Sequence, residues 1–426
     1  MNRQNSNFGR SAVRAVGLLA KRMKQLHTFT LSLQYCAAAV VLLFAAGVHA
    51  QIAVKGETVW TMNGEPIANG VVLVNNGKIE AVGTAASVKI PSSYRVVSAK
   101  VVTPGLIDAH SVVGLNGYLN QPHDQMALDG GGPMQPELRA IDAYNAEERL
   151  IEWIRGLGVT TIHTGHQPSA LISGQTMIAK TVGKDVDEAT IVPLAMVAAT
   201  LGQSGLAGQG KSPGTRAKGA AMLRAELIKA QENAKKADPP HDLRSDIMLK
   251  VIRREVPLMI TANKSQDIMT ALRIAKEFNI RIVLDGASEA PLLLNEIKAA
   301  GVPVIVHPTM ARPGGDEESL SMETASKLKA AGIPVALQSG YEGYVPKTRV
   351  VLFEAAMAAA NGLSRGDALA LITIDAAKLL GLDARIGSIA VGKDADIAMY
   401  DGDPFEWTTH CTGTMINGNI VSQVVR

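Results

Sequence analysis

The stretch "KAAGVPVIVH" at residues 298–307 returns 31 residues later as "KAAGIPVALQ" at residues 329–338. Each copy combines the basic end of a helix, a glycine that stops the helix and an apolar strand. Continuous valine and isoleucine runs between amphipathic helices are typical of parallel strands that are covered on both faces. The repeat therefore predicts an α/β fold with a (β/α)8 barrel of the TIM type, and a doubly wound open sheet is the alternative that this pattern leaves open.

The two ends of the chain outside the first fifty residues have a different texture, in which short alternating strands are separated by tight-turn signals. Four Asn-Gly dipeptides mark these turns: Asn63–Gly64, Asn69–Gly70, Asn76–Gly77 and Asn417–Gly418. Such dipeptides accept the positive φ that tight hairpins require. We therefore predict a composite β-sandwich built from residues 51–101 and 386–426, with the barrel formed by residues 102–385.

The first fifty residues are expected to be a signal peptide. They carry six basic side chains and no acidic one, followed by an apolar run from Cys36 to Val48 and a small-residue ending at Ala50. A basic region, a short apolar segment and such an ending are the pattern of a secretory signal. The pattern predicts cleavage near Ala50 and export to the periplasm, with Met23 as an alternative start to Met1. A retained membrane anchor is the other interpretation of the apolar run.

Charge and cysteine content narrow the classes of partner. Removal of the six basic residues leaves 42 − 6 = 36 basic against 39 acidic residues, so the mature chain has a net charge near −3. Nothing in this balance favours binding to nucleic acid or, after cleavage, to an anionic membrane. Cys411 is the one cysteine after the predicted cleavage position, so the mature chain has no internal disulfide.

In a (β/α)8 barrel the functional side chains lie at the carboxyl ends of the strands. Most of the predicted strands have polar residues at their carboxyl ends. These strand-end residues are His110, His163, His166, Thr261, Asn263, Asp285, His307, Gln338 and Ser339. We therefore expect a polar mouth at one end of the barrel.

Three stretches resemble the amidohydrolase superfamily, and in particular its imidazolonepropionase-like members. They are "VVTPGLIDAH" at 101–110, "KAAGVPVIV" at 298–306 and "DAAKLLGLDARIGSIAVGKDADIAMYDGDPFE" at 375–406. The likeness covers essentially the whole mature chain. It implies the barrel with its composite sheet, and a divalent metal, usually zinc, whose bound water attacks carbon–nitrogen bonds.

The residues expected to hold that metal are mostly replaced. The family carries His-x-His after the first strand, a histidine after the fifth and the sixth, and an aspartate after the eighth, and only His110 is retained. The replacements at the other positions are Val112, Thr261 and Asn263, Gly286, and Gly340 with Tyr341. Valine cannot coordinate a metal, threonine and asparagine are weak ligands for zinc, and glycine removes the general base. The resemblance thus implies a degenerate metal site, in which Val112 packs as an apolar side chain.

Two functions remain open at this point. The first is a pseudoenzyme or chemically altered member that binds a small-molecule ligand in the mouth, forms a homo-oligomer, or forms a hetero-oligomer with an active amidohydrolase. The second is an active metal-dependent hydrolase of amide, peptide or cyclic ureide bonds. It would hold zinc or another divalent metal at a rebuilt histidine site made of His110, His163, His166 and His307, with Asp108 or Asp285 orienting a ring.

Two further side chains have alternative interpretations. Lys180 occurs where some superfamily members carbamylate a lysine that bridges two metals, and an ion-paired lysine is the other interpretation. Tyr341 either closes the mouth with aromatic surface or packs in the ordinary way.

Overall fold

The computed structural model describes residues 51–119, 121–208, 210–309, 313–340 and 351–425. The predicted signal peptide with its cleavage position, and Tyr341, lie outside these ranges. Among the described residues, no helix combines the length and the apolar character needed to cross a membrane.

Strands and helices alternate through the middle of the chain and are numbered here in chain order. The strands are β1 (Ile52–Val59), β2 (Ile67–Asn75), β3 (Lys78–Thr84), β4 (Arg95–Pro104), β5 (Leu106–Ser111), β6 (Val159–Thr164), β7 (Ile172–Gln175), β8 (Met177–Lys180), β9 (Thr190–Val192), β10 (Val197–Thr200), β11 (Leu258–Thr261), β12 (Ile282–Gly286), β13 (Val304–Val306), β14 (Val335–Leu337), β15 (Ile397–Tyr400), β16 (Cys411–Ile416) and β17 (Asn419–Ser422). The helices are α1 (Arg149–Arg155), α2 (Val186–Ala189), α3 (Arg216–Ala234), α4 (Leu243–Ile252), α5 (Ser265–Phe278), α6 (Leu294–Ala300), α7 (Thr324–Ala330), α8 (Val351–Ala360), α9 (Arg365–Ala370) and α10 (Ile374–Leu379).

One seven-stranded sheet combines strands from both ends of the described chain. Its order is β17-β16-β15-β4-β1-β2-β3, so β4 lies between the two sets of strands. β4 pairs in parallel with β1 and antiparallel with β15. The strands of residues 51–104 and 397–422 thus share a sheet, while the division into a composite β-sandwich domain and a separate barrel domain stays a prediction.

Two of the four predicted Asn-Gly turns of this sheet have left-handed backbone at both residues, whereas at Asn63–Gly64, in the loop between β1 and β2, only the glycine has a positive φ, of 115°. Asn76–Gly77 joins β2 to β3 with φ values of 50° and 77°, and Asn417–Gly418 joins β16 to β17 with φ values of 48° and 77°. Asn69–Gly70 was expected at a turn but lies within β2, where Asn69 has φ of 48°. The prediction of a turn there is wrong, because the pairing of β1 with β2 continues through Gly70.

Eight strand segments succeed one another around the middle of the molecule. β5 pairs in parallel with β6, and β10 to β14 form a parallel series. The segment between them is the continuous stretch 172–180, whose β8 part pairs with β6 and whose β7 part pairs with β10. Both pairings are antiparallel, so the third segment runs against the others and the expectation of parallel strands throughout is wrong there.

A short piece of backbone bridges the last and the first segment. The N–H of Leu337 in β14 donates to the carbonyl of Leu371 at 3.2 Å, and the N–H of Ile107 in β5 donates to the carbonyl of Ile372 at 2.8 Å. Within the described residues no ladder of strand pairing closes the circle at this place. Leu371 and Ile372 occupy it instead.

The near-repeat in the sequence forms two successive helix–strand units, as predicted. α6 leads through Gly301 into β13, and α7 leads through Gly332 into β14. Both glycines have left-handed backbone, with φ of 64° and 76°, and this ends each helix. β13 and β14 then pair in parallel.

Candidate functional site

A polar layer lies directly above the apolar interior of the eight segments. The apolar interior takes residues from seven of them: Ile107, Ala109, Ile178, Met196, Ala198, Met259, Val283, Ile305 and Ala336. Side chains alternate between the two faces of a strand, so the positions two residues further toward the mouth also face inward. Those positions are occupied by Thr176, Thr200, Thr261, Asp285, His307 and Gln338, all of them buried.

Asp285 is the centre of a hydrogen-bond network in this layer. Its Oδ1 accepts from His110 Nδ1 at 2.9 Å and from Gln338 Nε2 at 2.8 Å, while its Oδ2 accepts from Thr261 Oγ1 at 2.6 Å. The side chains of Asp285 and His110 are completely buried. Three strand ends are thereby tied to one carboxylate, and Asp285 fixes the orientation of the His110 ring.

The charge of Asp285 is held by these donors. Burial by itself would raise the pKa of the carboxyl group, but His110 and the hydrogen bonds from His110, Thr261 and Gln338 outweigh it, so the pKa is lowered. A buried carboxylate of this kind is stable only when its oxygens are hydrogen-bonded. Asp285 is therefore an anion throughout the neutral pH range.

His163 is neutral and has both ring nitrogens engaged. Its Nδ1 lies 2.7 Å from the carbonyl of Ala109, which can only accept, so Nδ1 carries the proton. Its Nε2 then accepts from Thr176 Oγ1 at 2.7 Å. Burial, together with the neighbouring His110, lowers the pKa of His163 to about 4. The lone pair that would bind a metal is therefore occupied by a threonine hydroxyl.

His307 repeats this arrangement on the far side of the layer. Its Nδ1 donates to the carbonyl of Pro308 at 3.2 Å, and its Nε2 accepts from Thr324 Oγ1 at 3.2 Å. Burial lowers its pKa, so this ring is also neutral. His307 is thus placed as a hydrogen-bonded interior side chain.

His166 lies beside β7. A Cβ atom on Gly174 would come within 2.3 Å of the His166 ring, so the ring packs directly on the glycine backbone. Burial lowers the pKa of His166, against the opposing effect of the Ala127 carbonyl. His110 and His163 have ring centroids 5.9 Å apart.

Asp108 forms a second buried carboxyl site next to the first. It accepts from the backbone N–H of Ser339 at 3.2 Å and from that of His110 at 3.4 Å, and the Ser339 hydroxyl also donates to it. Burial raises the pKa of Asp108 to about 7, although these donors oppose the rise. Asp108 therefore changes its protonation near neutral pH, whereas Asp285 does not.

The other replaced ligand positions have structural roles. Val112 is fully buried in the largest apolar cluster. Asn263 Oδ1 accepts from Ser288 Oγ at 2.9 Å. Gly286 has φ of 75°, and a Cβ there would lie 2.6 Å from Asn263 Oδ1. Gly340 has φ of 97° and lies against Pro308. A larger side chain at either glycine would be strained.

Lys180 is an ion-paired lysine at the other end of the strands. It is almost fully buried and pairs with Asp396, and its Nζ lies 3.5 Å from Asp394 Oδ2. In the strand register Lys180 is opposite Thr161, near the start of β6, whereas His163 is opposite Ile178 further along. Lys180 is thus separated from the histidine layer by the length of β8.

These residues do not fit a divalent metal in the arrangement described. A zinc site needs several nitrogen, sulfur or oxygen donors directed at one point. In the ranges that the structure describes, no group of three or more His, Cys, Asp or Glu side chains is placed to hold a metal ion. His163 and His307 direct Nε2 to threonines, and Asp285 receives three donors. The rebuilt histidine site stays a prediction.

A cavity of about 440 Å³, here called the mouth cavity, opens beside the polar layer. Asn263 links the two, since it follows β11 and lines the cavity. The remaining lining is mostly polar and includes Gln167, Gln203, Asp316 and Glu317. Such amide and carboxylate groups offer both donors and acceptors to a small polar molecule.

The comparison with protein families decides which group the chain belongs to. The sequence model of the amidohydrolase family matches residues 112–422, which is well over half of the chain. The chain belongs to the amidohydrolase family. The crystal structure of an amidohydrolase from Thermotoga maritima superposes with a TM-score of 0.83 at 28% sequence identity, covering 88% of this chain and 100% of that chain. The amidohydrolase structures imply a TIM-barrel-like α/β fold, in agreement with the eight strand segments.

Curated relatives place this amidohydrolase more closely. It is 24% identical over 386 residues to an imidazolonepropionase from Rhizorhabdus wittichii, and this alignment covers 79% of this chain and 88% of the relative. It is 24% identical over 398 residues to an imidazolonepropionase from Fusobacterium nucleatum, and this alignment covers 83% of this chain and 91% of the relative. It is therefore an imidazolonepropionase-like member of the superfamily, as the sequence motifs predict.

Two side chains of this amidohydrolase site were missed by reasoning from the sequence. They are Thr176 and Thr324, whose hydroxyls hold the Nε2 atoms of His163 and His307. Thr176 could have been found, because it precedes the inward-facing Ile178 by two residues in the same strand stretch. Thr324 begins α7 and carries no pattern that would single it out.

Proposed function

We propose that this amidohydrolase has a degenerate metal site, does not carry out metal-dependent hydrolysis, and binds a small polar ligand at its mouth. The observation that carries the proposal is the Asp285 network, in which His110, Thr261 and Gln338 all donate to one buried carboxylate. Of the three donors only His110 is a retained family ligand, and the hydroxyl of Thr261, at a replaced ligand position, is engaged by Asp285.

The acid and base groups support the same proposal. A general base must be within hydrogen-bond reach of the proton that it removes. Asp285 is completely buried and receives three donors, and Asp108 is held by Ser339. Gly340 stands where the family has its aspartate. The layer is thus organised to hold protein groups together and offers no carboxylate to a substrate.

The ligand that we propose is a neutral molecule rich in donors and acceptors, such as an amide, a short peptide or a cyclic ureide. The mouth cavity of about 440 Å³ is large enough for such a molecule. Asn263 lines this cavity, where its Oδ1 accepts from Ser288 and its Nδ2 donates to Glu317 at 3.5 Å. We expect this amide to fix the orientation of the ligand.

An active hydrolase of carbon–nitrogen bonds is the second candidate function. It is favoured by the 5.9 Å separation of the His110 and His163 rings within one buried layer, and by the likeness to imidazolonepropionases. In this case zinc or another divalent metal would bind once the Nε2 atoms of His163 and His307 are released from Thr176 and Thr324.

Location and partners are also proposals. We propose export, cleavage near Ala50 and function in the periplasm, on the strength of the basic and apolar pattern of residues 1–50. We further propose association with a second copy or with an active amidohydrolase, because the outer helices do not depend on a metal at the mouth and can serve as a contact surface without one. Co-purification from the native host would reveal such a relative by its full histidine set.

Metal analysis of the purified protein, combined with activity assays, separates the two functions. The proposal expects sub-stoichiometric zinc that does not change in the His163→Ala, His307→Ala double variant, and no hydrolysis across a panel of amides, dipeptides and hydantoins. We also expect one class of compound from this panel to bind saturably, and we expect Asn263→Ala to weaken that binding. Near-stoichiometric zinc that the double variant abolishes would establish the hydrolase instead.

A further inference from the structure

A second and larger cavity lies at the opposite end of the parallel strands from the histidine layer. Its volume is about 800 Å³, and its wall includes Pro257, Arg281 and Pro303, which directly precede or begin β11, β12 and β13. The histidine layer lies at the carboxyl ends of the same strands. The cavity is therefore a separate feature, here called the basal groove.

The basal groove combines an apolar floor with a positively charged rim. The floor is formed by Met269, Leu272, Ile280, Val302 and Leu379. The rim carries Arg254, Arg273, Lys276 and Arg281, all exposed. Glu296 is the single carboxylate among the residues that line it. The lining thus has a net charge of 4 − 1 = +3 in a mature chain whose overall charge is slightly negative.

Among the residues that the structure describes, no carboxylate forms an ion pair with any of the four rim cations. Within the described part of the chain their hydrogen bonds go to neutral acceptors: Arg254 donates to the carbonyl and side chain of Asn279, Arg281 to the carbonyl of Arg254, and Arg273 to Thr270. Nearby carboxylates are engaged elsewhere, as Glu277 pairs with Arg224 at 2.7 Å. Neutral acceptors orient a guanidinium group but leave its charge available to a ligand.

The positions of the rim cations are explained in part by nearby helix carboxyl ends, which favour positive charge. Helix ends do not explain why these cations surround an apolar floor. α4, α5 and α6 end beside the groove, and cations near helix carboxyl ends are favourable by a fraction of a kcal/mol each. That interaction requires no cavity and no apolar wall. α3 offers a comparison, since Lys235 caps its carboxyl end, Lys229 lies before its last turn, and neither lines the basal groove.

We propose that the basal groove binds a free amphipathic anion, with an apolar chain or ring on the floor and a carboxylate or similar anionic group at the rim. A volume of 800 Å³ lies in the range of small-molecule sites, and burial of an apolar body supplies the affinity that exposed charges alone do not. The charges select the sign of the ligand. This inference does not depend on the function of the histidine layer.

Calorimetric titration of the full mature chain with decanoate, below its micelle concentration, tests the proposal. We expect saturable binding to one site, with no comparable binding of acetate, which lacks the apolar body, or of decyltrimethylammonium, which reverses the charge. The double variant Arg273→Glu, Lys276→Glu should weaken decanoate binding about tenfold or more, because it reverses two rim charges. The control Lys229→Glu, Lys235→Glu should leave the affinity within about twofold.

Circular dichroism and thermal unfolding verify that both double variants fold. If the Arg273→Glu, Lys276→Glu variant does not fold, Arg273→Ala is a milder replacement for it. Equal affinity for decanoate and decyltrimethylammonium, or equal weakening by the two double variants, would overturn the proposal. Binding to anionic phosphatidylglycerol vesicles without binding to free decanoate would overturn the free-ligand assignment in favour of a membrane surface.

Discussion

His110 Nδ1 lies 2.9 Å from Asp285 Oδ1, and both side chains are completely excluded from solvent although 175 residues separate them in the chain. This contact joins the end of β5 to the end of β12 across the interior. It ties the two strand ends together through a buried hydrogen bond between their side chains. The stability of the mouth should therefore depend on Asp285 itself.

Asp285→Asn should destabilise the protein by about 3 kcal/mol, because the amide cannot accept from His110, Gln338 and Thr261 together and leaves buried donors without an acceptor. Urea unfolding measures the change. Asp142→Asn is the matched control, since the Asp142 side chain is 65% exposed, and it should change stability by less than about 0.5 kcal/mol. Equal stability of the two variants would show that the Asp285 network contributes little.

Asp108 and Asp285 should give opposite pH dependences. The pKa of Asp285 is lowered in the folded state, so its contribution is present above the unfolded pKa of 3.8 and is lost as pH falls below it. The pKa of Asp108 is raised to about 7, so its contribution is present below 3.8 and is lost as pH rises through 7.

Asp108→Asn removes that second titration. Between about pH 5 and pH 8 the stability of the wild type relative to Asp108→Asn should fall by about 2.5 kcal/mol. Urea unfolding of the two proteins at several pH values checks this, and a constant difference between them would contradict the raised pKa of Asp108.

Val112→His restores the second histidine of the family motif and should not restore a metal site. The imidazole would enter an apolar cluster and lack partners there, which costs about 2 to 4 kcal/mol. Val112→Ala controls for the loss of packing alone. Unfolding and zinc content are measured together, and a Val112→His protein that gains stoichiometric zinc would disprove the prediction.

Much of the fold was predictable because it depends on local pattern. The repeated helix–strand unit predicts α6, β13, α7 and β14, and it does so from residues that are close in sequence. The reversed direction of residues 172–180 was not predictable, because a buried apolar strand has the same pattern in either direction.

The site was predictable only as a list of strand ends. His110, Asp285 and Gln338 all appear there, but which of them touch depends on the register around the barrel and not on spacing in the chain. The roles of Thr176 and Ser339 depend on the same long-range geometry. In contrast, the sequence alone predicts that position 112 binds no metal, because the valine found there cannot act as a ligand in any geometry.

Lys180→Met should act on stability and not on the mouth. It leaves Asp394 and Asp396, which are nearly fully buried, without the lysine between them, and removal of one partner from a buried ion pair costs about 3 kcal/mol. Lys184→Met is the control, since Lys184 is 75% exposed and its pair with Glu188 is worth little. Loss of ligand binding at the mouth cavity without loss of stability would instead indicate a role for Lys180 in the site.

Gly286→Ala tests whether the end of β12 can carry a side chain at this position. The backbone at Gly286 has φ of 75°, and a Cβ would lie 2.6 Å from Asn263 Oδ1, so both strain and a clash oppose any side chain there. Gly301→Ala is the matched control: its φ of 64° imposes similar strain, but no atom lies within 4 Å of the added Cβ. We expect about 1 kcal/mol for Gly301→Ala and at least about 1 kcal/mol more for Gly286→Ala in urea unfolding. The excess should fall in the double variant Gly286→Ala, Asn263→Ala, because the clashing amide is removed. Equal losses for the two glycine variants would mean that Asn263 moves aside without cost, and that a histidine is not excluded from this position by its surroundings.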